Sequence, residues 1–245
     1  MNGGVPNSTS CCVVGAVQAL WRYPIKSMLG EWCDALALDA RGVVGDRCYA
    51  IRDANGKLGS GKNTRRFRHI DGLFRFRAAY RGDVAEIRFP DGWVMSVEDP
   101  DVHDAMSSWL GQPVTVAREA AISYFDQKPI HILTTAALAW LRAALPDSKI
   151  DERRFRPNLL LQVPGVTQRE RTWPGRTLGI GAEVRLRVTG STERCGMISF
   201  AQSDLPHDPS ILQYVSEAGD LQFGVYAEVV TPGCVKVADP VILLD

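Results

Sequence analysis

A cysteine beside an arginine at the exit of a strand can do chemistry, because the thiolate is both nucleophile and soft-metal ligand. Cys195 is placed this way. It closes Thr192-Glu193-Arg194-Cys195, downstream of the strand-like Val184-Arg185-Leu186-Arg187-Val188. Taken alone, a cysteine in β-rich surroundings is as readily a small buried hydrophobe. Three other segments gather cations and donors: Tyr23-Pro24-Ile25-Lys26-Ser27, Leu58 to Arg66 with Lys62 at its centre, and Arg153-Arg154-Phe155-Arg156-Pro157-Asn158. Each is weak by itself. Gly59-Ser60-Gly61-Lys62-Asn63-Thr64 lacks the spacing of a phosphate loop, and the basic run Lys62 to His69 reads as a solvated face. Together the four segments predict a lysine- and arginine-rich pocket for an anionic ligand, with one thiolate at its floor. Arginine's planar fork suits bidentate phosphate binding and lysine adds a point charge, while Asn158 can donate and accept at a heterocycle edge.

The bulk properties narrow the function classes. The chain has 245 residues, 45% apolar and 23% charged, enough for one large or two ordinary domains. Its 28 basic and 28 acidic residues cancel, so net charge favours neither nucleic acid nor a membrane surface. No apolar run approaches the roughly 20 residues of a membrane span. Met1 to Ser10 is polar and small, which reads as a disordered lead-in and not a signal peptide. Six cysteines (Cys11, Cys12, Cys33, Cys48, Cys195 and Cys234) include no Cys-x-x-Cys pair. Free thiols in the cytoplasm are the expectation, with no zinc knuckle and no iron–sulfur site. Cys48 and Cys234 are expected to be buried.

The elements that must position these residues are mostly strands. Val13 to Trp21, Ala35 to Leu38, Cys48 to Arg52, Ala85 to Phe89 and Trp93 to Val97 recur with turn signals between them, among them the hairpin pair Asn55-Gly56. Asp99-Pro100-Asp101 opens a helix whose apolar face is Val102, Ala105, Met106, Trp109 and Leu110, stopped by Gly111. Thr134 or Thr135 caps a second helix over Ala136 to Leu145, and Pro146 ends it. Phe155 to Val163, Thr177 to Ile180 and Glu183 to Val188 read as strands, and Pro209 to Glu217 as a short helix. Phe223 to Val230 is predicted to pair with Cys234 to Val237 across Thr231-Pro232-Gly233. The organisation expected is a lead-in over 1–12 and two domains, 13–120 and 121–245.

In their order along the chain these motifs resemble a MOSC-domain protein. That module is shared by the amidoxime-reducing molybdoenzymes and the C-terminal part of molybdenum-cofactor sulfurases. The matching pieces are Tyr23 to Ser27, Gly42 to Tyr49, Ser60 to Phe67, Phe155 to Asn158, Thr192 to Cys195, Phe223 to Ala227 and the ending Pro232 to Val241. The resemblance implies a mainly β (α+β) fold: a β-barrel-like N-terminal domain packed on a MOSC β-barrel with a few short helices. It also implies a molybdenum–molybdopterin cofactor, with Cys195 as metal ligand and catalytic centre. Lys26, Ser27 and Lys62 would face the pterin or its phosphate, Arg156, Asn158 and Arg194 would complete the cage, and Thr134 and Thr135 would add donors from a helix N-terminus. The expected reaction is reduction of an N-hydroxylated small molecule, with Asp46 or His131 assisting proton delivery. Electrons would come from a separate electron-transfer protein, since these residues hold neither an iron–sulfur portion nor a pyridoxal-phosphate domain. The alternative is a sulfur carrier or cofactor-handling protein with a persulfide on Cys195. One departure is Glu193, where the reductase branch more often has a small or hydroxyl residue.

Overall fold

The computed structural model describes residues 12–244, so most of the 1–12 lead-in, including Cys11, lies outside the described residues. The dominant unit is a closed barrel of seven strands. Around its circumference run Leu159–Gln162, Ile130–Thr134, Gln222–Thr231, Val184–Glu193, Thr177–Ile180, Pro240–Leu244 and Cys12–Arg22, which pairs back to Leu159–Gln162. Neighbours are antiparallel except Ile130–Thr134 and Leu159–Gln162, which the α-helix Thr135–Ala144 connects in parallel. The alternation of the sequence dictates which way the strands face. Val184, Leu186 and Val188 point into the barrel and are essentially inaccessible, while Arg185 and Arg187 point out. Closure removes the strand edges that an open sheet would expose.

The first half builds a three-stranded sheet (Arg77–Arg81, Val84–Arg88, Val94–Ser96) and a four-stranded one (Tyr49–Asp53, Leu58–Ser60, Phe67–His69, Val114–Arg118). These share a second core with the helix Val102–Leu110, which buries Val102 and Met106 and ends at the left-handed Gly111. A third core fills the space between the barrel wall and the helices Thr135–Ala144 and Pro209–Gly219. Thr134 caps the former, its hydroxyl accepting from the Ala137 amide at 3.0 Å.

Cys12–Arg22, although in the first of the two expected domains, is a stave of the barrel completed by the second half. Three strand expectations change. The strand expected from Phe155 begins only at Leu159, since Glu152–Phe155 is a 3₁₀ turn and Arg156 is left-handed (φ 55°). The strand expected to stop at Val188 runs on to Glu193 and so delivers Cys195 to the barrel rim. Gly233–Lys236 pairs with Ala35–Asp39 and not with Gln222–Thr231. Up to Ala227 the latter already has Val184–Glu193 on one side and Ile130–Thr134 on the other. Cys234 is consequently exposed, contrary to expectation, and Cys48 is half-buried.

Barrel closure depends on a close backbone approach at Gly15, where an added Cβ would lie 1.9 Å from the Gln162 carbonyl oxygen. Gly190, in the Val184–Glu193 strand, has nothing within 4 Å of such an atom. Gly15→Ala is expected to cost about 1–3 kcal/mol as overpacking, a fall in Tm of about 2–4 °C per kcal/mol. Gly190→Ala should leave Tm within a degree or two, and calorimetry on both variants checks the contrast.

Candidate functional site

The strand exits converge on one cavity of about 200 Å³ between the barrel rim and the first half. Lys26 and Ser27 reach it just after the Cys12–Arg22 strand, and Lys62 from the loop after Leu58–Ser60. Arg156 and Asn158 come from the left-handed turn before Leu159–Gln162, and Arg194 and Cys195 from the end of Val184–Glu193. Cys195 is partly accessible and lines this cavity, as do Lys26, Lys62, Arg156, Asn158 and Arg194. Sequence positions more than 160 residues apart thus meet in one place.

The cavity's electrostatics are unbalanced. Seven lysines and arginines line it against two carboxylates, Asp126 and Glu193. Asp46, fully buried behind the wall, pairs with Arg47 and accepts from the Tyr23 amide at 2.7 Å. Asp126, at the exposed mouth, pairs with the buried Lys26 at 2.8 Å. Burial pushes the Lys26 ammonium below the ordinary lysine value, and Asp126 offsets only part of that. Burial opposes ionisation of Asp126, but Lys26 outweighs it and holds the carboxyl at about 2. Arg156 has no carboxylate partner. Its guanidinium donates to the Met28 carbonyl and lies 4.2 Å over the Tyr23 ring, and burial together with Arg47 brings its pKa down to about 10.

Arg194 donates to the Phe155 carbonyl at 2.7 Å and to His131 Nε2 at 3.4 Å, while its buried Nε has no partner. Burial, reinforced by Arg194, holds His131 well below the usual histidine range, so its ring is neutral and Nε2 can accept. Half-buried guanidiniums without a paired carboxylate carry a desolvation cost that an incoming anion offsets. An anionic ligand is therefore what this arrangement accommodates. Among the described residues no group of three or more His, Cys, Asp or Glu could hold a metal ion. Any metal here would have to bring most of its ligands with it, leaving Cys195 as the soft donor from the chain.

Several expected site residues sit differently. Thr134 and Thr135 do not line the cavity. Thr134 is fully buried, caps its helix and donates to Glu170 at 2.8 Å, and the Thr135 hydroxyl donates to the Val163 carbonyl at 2.9 Å. The sequence signal that marked them was a helix cap, and capping uses the hydroxyl up. Asn158 forms part of the wall, but its amide is already engaged. It donates to the Trp21 carbonyl at 3.3 Å and accepts from the His131 amide at 3.1 Å. These bonds join the strand exits. Ser27, left-handed at φ 64°, donates to the Gly59 carbonyl at 3.1 Å and keeps acceptor capacity toward the cavity. Asp46 is a structural counter-ion behind the wall, whereas His131 faces the cavity.

Residues missed by sequence reasoning are Arg47, Asp126 and Met197, while Arg154 stood in a predicted cationic segment without a role of its own. Arg47 follows Gly45-Asp46, and its signal was the same Gly-Asp-Arg run. Arg154 is fully buried and donates to the carbonyls of Lys149, Phe200 and Pro206 at 3.0, 3.3 and 2.8 Å. It thereby pins the segment that follows Cys195.

Comparison with known proteins agrees with this layout. The human mitochondrial amidoxime-reducing component 1 is 26% identical over 289 residues, covering 94% of this chain and 83% of that protein. The crystal structure of the YUAD protein from Bacillus subtilis superposes with a TM-score of 0.57 at 13% identity, over 97% of this chain and 99% of that one, a likeness of fold alone. Residues 14–127 match the MOSC N-terminal beta barrel domain and residues 119–242 the MOSC domain. With almost its whole length covered by these two matches, the chain belongs to the MOSC-domain family.

Proposed function

We propose that the chain binds a molybdenum–pterin cofactor in the cation-lined cavity, with Cys195 as the metal ligand, and reduces N-hydroxylated small molecules. The observation that carries this reading is the coincidence of Cys195 with half-buried arginines that, among the described residues, lack carboxylate partners, in one cavity. The named activity of the amidoxime-reducing relative supports the reaction class. When bound, the group supplies the two-electron chemistry that turns N–OH into N–H and water, with two protons consumed. The electrons come from a separate electron-transfer protein. No helix among the described residues is long and apolar enough to cross a membrane.

The chain's own residues then have distinct tasks. Arg156 and Arg194 would hold the anionic part of the cofactor, and Lys26 would add a point charge that Asp126 partly offsets. Lys62, over the Phe67 ring at 5.2 Å, covers the opposite rim. Neutral His131 keeps Arg194 aimed through Nε2 and lies within the wall where a proton must be supplied. Arg154 fixes the Cys195 segment by its carbonyl contacts. Glu193 sets a carboxylate next to the reacting region, which disfavours anionic substrates.

The second reading, a sulfur carrier with a Cys195 persulfide, uses the same accessible thiol. The two readings separate on purified protein from a cofactor-competent host. Elemental analysis should give molybdenum near one equivalent, and Cys195→Ala should abolish reduction of hydroxylamine-type substrates. A gain of about 32 Da on Cys195 without metal would establish the carrier instead.

The corrected wall makes a further contrast. Arg156→Met should lower cofactor content by an order of magnitude at unchanged fold, as circular dichroism would register. Thr134→Ala should lose about 1 kcal/mol of stability in denaturant, through the lost cap, while the folded protein keeps its full metal content.

A further inference from the structure

A second cavity, of about 350 Å³, abuts the first and shares Ser27 and Met197 with it. Met197 lies two residues beyond Cys195. The two cavities differ in chemistry. Leu73, Phe74 and Ile70 make the inner part of the second one apolar, and its mouth carries a row of flat rings. His69 stacks on Phe200 with centroids 6.0 Å apart and planes 12° from parallel, and Phe200 on His207 at 6.4 Å and 28°. His69 is in turn held by Asp71 at 3.0 Å. Gly61 keeps this floor open, since a Cβ there would lie 2.5 Å from Met197 Cγ and 2.8 Å from the Phe200 ring.

We propose that this second cavity seats the organic part of the substrate and selects a flat aromatic ring, laid against the Phe200 row with its N-hydroxylated end passing Met197 toward Cys195. The inference rests on the reduction proposed above and deepens it, naming the substrate class. Stacking on rings that are already in place orders the substrate ring at little cost in protein entropy, and offset stacking adds to what the buried area contributes. The lining is mostly apolar, with Asp71 and Arg75 as its charged groups, and the cation-lined cavity next door remains available to the anionic cofactor. Phe200 is positioned for this by Arg154, whose guanidinium fixes the Phe200 carbonyl.

The test separates the subsite from the redox reading by measuring binding without turnover. Benzamide, cyclohexanecarboxamide and acetamide, none carrying an N–OH group, are titrated by ligand-observed NMR against the protein as purified and against Phe200→Leu and Gly61→Val. Benzamide is expected to bind at least fivefold more tightly than cyclohexanecarboxamide. The preference should vanish in Phe200→Leu, and benzamide binding should be lost in Gly61→Val. Turnover is then compared with benzamidoxime and acetamidoxime. Phe200→Leu should raise KM severalfold more for the aryl substrate than for acetamidoxime. Equal binding of ring and cyclohexyl amides, or a Phe200→Leu effect equal for both amidoximes, overturns the subsite. A Phe200-dependent benzamide preference in protein that holds no molybdenum would uphold the subsite and overturn the proposed reaction.

Discussion

Positive charge drawn into a partly dehydrated cavity is the feature on which the rest of this molecule depends. A guanidinium removed from water pays a desolvation cost that carbonyl contacts and ring faces recover only in part. Arg156 over Tyr23 and Arg194 against Phe155 and His131 illustrate it: each is held firmly, and neither is neutralised. Such an arrangement persists because the surrounding framework is stable enough to carry it. The closed barrel, with Leu178, Ile180, Val184 and Leu186 at no measurable exposure, supplies that stability.

The framework also explains why the cavity is where it is. Strand exits at one end of the barrel bring Lys26, Arg156 and Cys195 to the rim, and the sheets of the first half close over it with Lys62 and Arg47. Asn158 ties two of those exits together through Trp21 and His131, so the cage is a property of barrel closure and not of any one loop. Arg154 does the same for the Cys195 segment. The Cys195 sulfur therefore sits between a barrel strand and a segment held by Arg154, as a positioned ligand would require.

Local signals in the sequence were readable where local physics decides. The apolar face of Val102–Leu110, the Gly111 stop, the Thr134 cap and the Asn55-Gly56 turn are each set by neighbours within a few residues. The family pattern located Cys195, Lys26, Lys62 and Arg194, and the structure brings all four to one cavity. Legibility failed where the answer lies in distant pairing. Nothing near Gly233–Lys236 announces that its partner is Ala35–Asp39, and nothing in Cys12–Arg22 announces a barrel completed over 200 residues later. Thr134 and Thr135 misled for a related reason: a hydroxyl at a helix start fits both a cap and an anion site, and only the burial of the cap distinguishes them.

The sulfur of Cys195 is the point at which charge, fold and chemistry meet. X-ray absorption at the molybdenum edge, on protein with bound metal and on its Cys195→Ser variant, addresses it most directly. The account predicts that the wild-type metal has one sulfur neighbour more than the variant, at the distance of a thiolate bond, with the remaining sulfur shell unchanged. An identical sulfur shell in the two proteins would contradict it.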